Sequence, residues 1–434
     1  MLWHSTQQSA KRACSLRSHL LRVLRTRPLL VAPLLAMVTC MDLGTFERLL
    51  SSAGQSLLAQ IADRAGPESD LALGTRLRKT HDVELVAAAV TQNHLRGKAR
   101  SKFGDAAAGM YFTHDALEQS TRAIVSDHRA RRLASCGAVA VVDLGCGIGG
   151  DLIAFARAGL RVRGVELDPV RALIARANLA ALGLAGSVSC GDATAIRIAD
   201  DEVAFADPTR RDGKGRIFDP TNCVPPWDFV TALLAGRGVA KTMPGIAHRL
   251  IPTDAEAEWI SVDGSLVEAC LWGKAFANTR RRATLLPSGA TLTEGSAGDS
   301  GIGDPGGYLY EPDDAVIRAG LVTAVAALVG GWLVDPRIAY VSSAAQVATP
   351  FARAFRVIDE VPFREKQLKA ALIARDVGTL TIKKRGVNIV PEALIRRLKL
   401  KGTVTATVVM TRVQGEGRAY LVEPLQFRGP RDGR

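Results

Sequence analysis

No C-x-x-C pair occurs in this chain of 434 residues, and its seven cysteines, at 14, 40, 136, 146, 190, 223 and 270, are scattered. Without a His/Cys cluster at metal-ligand spacing, a zinc or iron–sulfur scaffold is excluded. No bound metal is expected, and free thiols in a reducing cytoplasm are the simplest reading. No run of eighteen uninterrupted apolar residues exists, which argues against a membrane span. Long internal repeats are missing too. The first forty residues lack acids but hold Lys11, Arg12, Arg17, Arg22, Arg25 and Arg27, so removing those six charges from the formal +13 leaves +7. That residue of charge is compatible with a polyanionic partner without requiring one. Segment 1–40, with an apolar run from Pro28 to Val38, reads as an over-extended start or a targeting-like segment, because Met37 and Met41 adjoin a helix-patterned sequence.

With 47% hydrophobic residues the chain can bury a full core, and its length suits two or three domains. Residues 41–136 are helical in pattern, with Leu49, Leu50, Leu57, Leu58 and Ile61 spaced along one face. Thr113 is placed to cap the last of these helices, which carries Leu117, Ile124 and Val125. Residues 137–287 alternate in the manner of a doubly wound α/β sheet. A strand at 139–143 precedes a helix from Asp151 closed by Gly159; a strand at 161–166 precedes a helix from Pro169, capped by Asp168 and closed by Gly183. Further strands are predicted at 187–190, 202–206, 238–241 and 282–286, with a hairpin across Asp263-Gly264. Residues 288–307, rich in glycine, serine and aspartate, are expected to be a linker. Beyond it, 308–428 reads as an α+β unit with helices at 313–329, 363–375 and 391–399 and strands near 337–342, 353–358, 378–384, 403–411 and 418–423.

The chemistry gathers at Val141-Val142-Asp143-Leu144-Gly145-Cys146-Gly147-Ile148-Gly149-Gly150, a strand that ends in a glycine loop before a helix. Glycines allow a ligand to lie against the backbone, and the helix start offers free N–H groups. Gly145, Gly147 and Gly150 also satisfy the dinucleotide pattern G-x-G-x-x-G, with Glu166 placed 21 residues on, so the glycines alone leave the cofactor open. Asp143 before the first glycine, and later acids in Gly191-Asp192-Ala193 and Asp207-Pro208, resemble the class I S-adenosylmethionine-dependent methyltransferases, whose first motif is D-x-G-x-G-x-G. The resemblance implies a Rossmann-like seven-stranded sheet with an antiparallel edge and S-adenosyl-L-methionine as cofactor. It implies that Gly145, Cys146, Gly147 and Gly149 approach the methionine part, Asp143 positions it, Glu166 holds the ribose and Asp192 with Ala193 faces the adenine.

The acceptor segment is Asp207-Pro208-Thr209-Arg210-Arg211. Amino-methyltransferases of bases resemble this position, which implies catalytic roles for Asp207 and Pro208, but Thr209 and Arg210 stand where those enzymes carry a second proline and an aromatic. Trp227 is a candidate stacking ring from a nearby loop, or else a core residue. Arg210, Arg211, Lys214 and Arg216 would form a cationic rim suited to phosphate. Cys223 is an alternative covalent nucleophile, without an identifiable base. This segment, Pro225-Pro226-Trp227 and the tail around Thr379 to Val387 resemble bacterial methyltransferases with a C-terminal THUMP-like domain, and Phe112-Thr113 adds a distant similarity to trimethylguanosine synthase. The resemblance implies delivery of structured RNA, with Lys383, Lys384, Arg385, Arg396, Arg397, Lys399 and Lys401 touching it, although no aromatic lies among them. The expected function is cytoplasmic, S-adenosylmethionine-dependent methylation of a nucleotide in tRNA or rRNA. The alternatives are a small-molecule methyltransferase and a non-catalytic RNA-binding protein.

Overall fold

The computed structural model describes residues 42–63, 69–210, 223–296, 298 and 300–425. Segment 1–40, Arg211, Lys214 and Arg216 lie outside the described residues, as does the side chain of Arg210. Two compact units divide after Leu95. The first holds helices α1 (Leu43–Leu50), α2 (Ser52–Ala62) and α3 (Asp70–Leu77), and α4 (Val83–Phe103) runs across the division. Asp42, Ser51 and Ser69 each accept a hydrogen bond from a first-turn N–H, which fixes where α1, α2 and α3 begin. Phe46, Leu49, Leu57, Leu58, Ile61 and Leu73 are buried. This division at Leu95 lies upstream of the expected boundary at 136. A continuous helix carries the chain across it, so no loop composition marks the spot in the sequence.

The second unit opens with α5 (His114–Gln119) and α6 (Ala123–Ser135). The single helix expected after Thr113 is thus two. Lys102 Nζ donates to the carbonyls of Leu117, Glu118 and Ser120 at 2.7, 2.7 and 2.8 Å, taking up acceptors that a continuing helix would use. Then the alternation sets in: β1 (Ala140–Leu144), α7 (Gly150–Arg157), β2 (Arg161–Glu166), α8 (Pro169–Ala181), β3 (Ser187–Cys190), β4 (Glu202–Ala206), a two-residue pair β5 (Thr209–Arg210) and β6 (Cys223–Val224), α9 (Trp227–Leu234) and β7 (Gly238–Thr242). Asp168 accepts from the Arg171 N–H at 3.0 Å and Pro169 sits in the first turn of α8, as the sequence predicted.

Strands β8 (Glu256–Val262) and β9 (Ser265–Trp272) form the hairpin, and the turn is reachable because Asp263 and Gly264 both take positive φ, 51° and 74°. The sheet order is β11-β10-β8-β9-β7-β4-β1-β2-β3. Strands β3 to β8 of this series make the seven-stranded methyltransferase set, with β9 as its antiparallel member. Two strands extend it. β10 (Arg281–Leu286) runs parallel to β8 instead of completing the seven, and β11 (Ala290–Thr293) pairs antiparallel with β10. The expected linker at 288–307 is corrected here: its first part turns at Gly289, φ 72°, and returns as an edge strand that buries Leu292.

A second sheet, ordered β13-β14-β12-β15-β18-β17-β16, follows. Its strands are β12 (Tyr308–Pro312), β13 (Trp332–Leu333), β14 (Val341–Ser343), β15 (Ala352–Val361), β16 (Val377–Arg385), β17 (Val404–Val413) and β18 (Glu416–Pro424). Between them lie α10 (Asp314–Ala319), α11 (Val322–Leu328), α12 (Glu365–Ile373) and α13 (Pro391–Leu398). One helix was expected over 313–329; Gly320, at φ 70°, ends α10 and divides it. Helix α10 packs on β8 and β10, so Tyr310, Ala315, Val316 and Val325 share one buried cluster with Val142, Leu144, Trp259 and Leu285. The catalytic sheet and the first part of the C-terminal region are one core. No helix among the described residues is long and apolar enough to cross a membrane.

Candidate active site

Strand β1 lies between β2 and β4, so the chain order reverses at its carboxyl end and the loops there part to leave a crevice. The glycine loop lines it. Gly145, Gly147 and Gly149 take φ of 90°, 57° and 84°, values that a side chain would strain. A Cβ added at Gly145 or Gly147 would meet no protein atom within 4 Å, so the room beside them is open to a ligand. At Gly149 the same Cβ would sit 3.4 Å from Ala175, which is how closely α8 approaches the loop. Glu166, at the end of β2, accepts from the Gly147 N–H at 2.8 Å and from the Asp168 N–H at 3.0 Å, tying the loop to the neighbouring strand.

Of the expected cofactor residues, the structure gathers Asp143, Gly145, Gly147, Gly149 and Glu166 at this crevice. Asp143 is buried, and burial pushes its carboxyl well above the usual range, with Asp151 and Asp207 adding to the push and Arg129 opposing it. Asp192 is exposed and caps the short turn Ala193–Ala195, its Oδ1 accepting from the N–H and hydroxyl of Thr194, both at 2.8 Å. These bonds hold its carboxyl below the ordinary value and leave Oδ2 for another donor. Cys146 departs from expectation. Its side chain is buried and turned toward Gly164, where an added Cβ would stand 2.7 Å from Sγ, so only its backbone belongs to the loop.

Asp207 is half-buried at the end of β4, and its Oδ2 accepts from Lys241 Nζ at 2.6 Å. Nothing local in the sequence marks Lys241. It is reached because Ala206 and Ala240 are register partners in parallel strands, which sets the following residues side by side. Arg129, wholly buried, is a second cation without a sequence signature. It donates Nη1 to Asp151 and Nη2 to Glu268, and its guanidinium lies over the Phe205 ring, 4.7 Å from the centroid. The other oxygen of Asp151 accepts from Thr121 at 2.9 Å. Helix α6 is thereby pinned to both α7 and β9 beneath the crevice. Asn178 of α8 is buried and holds the segment before α5: it accepts from the Tyr111 N–H at 2.6 Å and donates to the carbonyls of Tyr111 and Ile148 at 3.1 and 2.9 Å. Phe103 packs at a tilt against Phe112, 5.7 Å between centroids, and would touch a Cβ at Gly150.

The expected substrate residues fare unevenly. Trp227 is buried, a member of the sheet's core cluster, because the first turn of α9 packs inward; its reading as a stacking ring gives way to the core reading. Lys383 donates to Glu311 at 2.6 Å and Arg385 lies 4.0 Å from Glu311 and 3.8 Å from Asp314, so neither is a free cation. Arg397 is likewise paired, with Glu365. Lys384, on the opposite face of β16, is exposed, as are Arg396, Lys399 and Lys401, and these four make no ion pair among the described residues. Among the described residues no group of three or more His, Cys, Asp or Glu is placed to hold a metal ion.

The chemistry of the crevice fits a sulfonium cofactor. Glu166 ends β2 and Asp207 follows β4, one on each side of the open room beside Gly145 and Gly147, where a ligand with a ribose and a reactive head can lie against the backbone. Comparisons with known proteins agree. A methyltransferase domain family matches residues 141–206, a THUMP domain-like family matches 352–424 and a domain of unknown function matches 42–99. An uncharacterized S-adenosylmethionine-dependent methyltransferase of Mycobacterium tuberculosis (strain CDC 1551 / Oshkosh) is 39% identical over 346 residues, covering 76% of this chain and 95% of its own. The protein of the same description from strain ATCC 25618 / H37Rv gives the same figures. A crystal structure from Porphyromonas gingivalis W83, classed with the methyltransferases, superposes with a TM-score of 0.67 over 85% of this chain and 98% of its own at 22% identity, a likeness of fold. The glycine loop with its carboxylates, the extended methyltransferase sheet and the M. tuberculosis relatives lead to one family: the chain belongs to the class I S-adenosylmethionine-dependent methyltransferases that carry a C-terminal THUMP-like domain.

Proposed function

We propose that this enzyme methylates a nucleotide of structured RNA, with Asp207 and Pro208 presenting the acceptor at the end of β4. The observation that carries the site assignment is Asp207 itself: half-buried, at the mouth of the crevice, with one carboxylate oxygen held by Lys241 and the other left for a substrate donor. Bound S-adenosylmethionine supplies a methyl group to the acceptor's lone pair, leaving S-adenosylhomocysteine and one proton from the acceptor. The protein's share is placement. Glu166 and Asp192 are the groups for ribose hydroxyls and an adenine amine, the glycine loop gives close approach, and the segment fixed by Asn178 walls the crevice.

The RNA reading is supported by Lys384, Arg396, Lys399 and Lys401 on the THUMP-like unit, which are exposed and make no ion pair among the described residues. These four take the place of Lys383, Arg385 and Arg397, which the fold uses internally. The test is incubation of the full chain with tritiated S-adenosylmethionine and total RNA from a strain lacking the gene, beside D207A. Label in RNA only with the intact site supports the reading, and label confined to small molecules overturns it. If four phosphates are engaged, raising salt from about 50 to about 200 mM weakens RNA binding roughly 50- to 150-fold, whereas a small apolar acceptor hardly responds.

A further inference from the structure

Lys241 sits where class and fold give it no obvious task, at the end of β7 beside β4, half-sealed from solvent and in contact with the acceptor carboxylate. Its ammonium faces Asp207 directly, Glu268 from β9 and Asp151 from α7; Lys102 of α4 is near enough to feel its charge, and Arg129 and Asp143 complete the ring of charged groups. Burial works against the ammonium, but Asp207, Glu268 and Asp151 outweigh it and hold the lysine well above its ordinary value. It is therefore a permanent cation, bonded to one oxygen of Asp207 at 2.6 Å. A carboxylate so paired is a good hydrogen-bond acceptor held in a fixed rotamer.

We propose that Lys241 is a positioning residue for methyl transfer: it fixes Asp207 so that the free oxygen orients the acceptor's N–H or O–H, and the acceptor's proton leaves to water rather than to Asp207. This rests on the placement of Asp207 in the proposed function. The acceptor forms its bond to carbon with its own lone pair, and once methylated a nitrogen acceptor carries a positive charge and gives up its proton readily, so no strong base is needed at that point.

The experiment compares initial rates of RNA labelling for the wild type, K241M, K241R, D207N and K241M/D207N. Under the proposal K241M lowers kcat roughly tenfold to a hundredfold, the range of a lost hydrogen bond to a charged group. Cofactor affinity and the KM for total RNA stay within about threefold, K241R recovers most of the rate, and adding K241M to D207N costs nothing more, because Lys241 acts only through Asp207. Losses that multiply in the double variant, or a K241R as slow as K241M, overturn it. Should K241M fail to fold, K241R and D207N carry the comparison, with a near-wild-type K241R rate expected. A readout without substrate stands beside it: the Lys241 amine, followed by NMR, titrates above the ordinary lysine range in the wild type and drops in D207N. An unchanged titration breaks the pair. If the wild type labels no RNA while that titration drops as expected, the RNA reading has failed and the pairing has not.

Discussion

Replacing Arg129 by methionine removes a cation that is ion-paired with both Asp151 and Glu268. The guanidinium is wholly buried and both acids nearly so, and removing one partner from such a group costs roughly 3–5 kcal/mol because the remaining charges stay desolvated. Losing the contact with Phe205 adds up to about 2 kcal/mol, and protonation of a stranded acid returns part of the total, so a net loss of about 4 kcal/mol near neutral pH is expected. Against the roughly 5–15 kcal/mol of a typical domain that is a large fraction, readable as a lower denaturant midpoint at unchanged slope. The pH dependence carries the diagnosis. Burial already raises the Glu268 carboxyl, with Arg129 and Lys241 pulling it back; without Arg129 it climbs further. The folded variant then keeps a proton that the unfolded chain sheds near the ordinary glutamate value, so R129M gains stability as pH falls from about 7.5 to about 5.5. R129M/E268Q, which no longer strands that carboxylate, should exceed R129M by about 1 kcal/mol or more. A loss under about 1 kcal/mol, or a double variant no better than the single, would refute the reasoning.

G147A keeps the fold at a cost of about 1 kcal/mol for a non-glycine residue at positive φ, yet its methyl enters the open room beside the loop. Equilibrium dialysis should show cofactor affinity at least about tenfold weaker, and unchanged affinity would place the cofactor elsewhere. Deleting 308–425 uncovers the sheet where Tyr310, Val316, Leu321, Val325 and Val329 pack, on the order of 10 kcal/mol of apolar burial. The remaining fragment should therefore aggregate on expression, and a soluble, cofactor-binding fragment would contradict a shared core. Glu258 is buried among His128, Arg132, Trp272 and Thr284; burial pushes its carboxyl up, but the bonds from His128, Arg132 and Thr284 outweigh this and hold it well below the ordinary 4.5. That stabilisation is complete above 4.5 and fades as pH falls below it, so the roughly 3 kcal/mol that E258Q costs at neutral pH should shrink on acidification in urea titrations.

Much of the catalytic half was legible because its signals are local. A loop that demands positive φ at Gly145, Gly147 and Gly149, a helix opened by Asp168-Pro169 and a hairpin turned at Asp263-Gly264 state their conformation within a few residues. The strands at 187–190 and 202–206 fall where the apolar pattern put them. Residues 288–307 misled for the same reason: composition reports what a segment does alone, and β11 is ordered only because β10 offers it an edge.

The sequence by itself determined the glycine loop and its carboxylates at the strand ends, since backbone geometry and spacing are enough to specify them, and the family resemblance of those motifs pointed to the class of cofactor. Only the tertiary structure decided which charges work at the site and which are spent on the fold. Lys241 meets Asp207 across two strands 34 residues apart in sequence, Arg129 meets Glu268 across 139, and Lys383 is drawn to Glu311 across 72. An ion pair depends on proximity after folding, and no local pattern of residues encodes that.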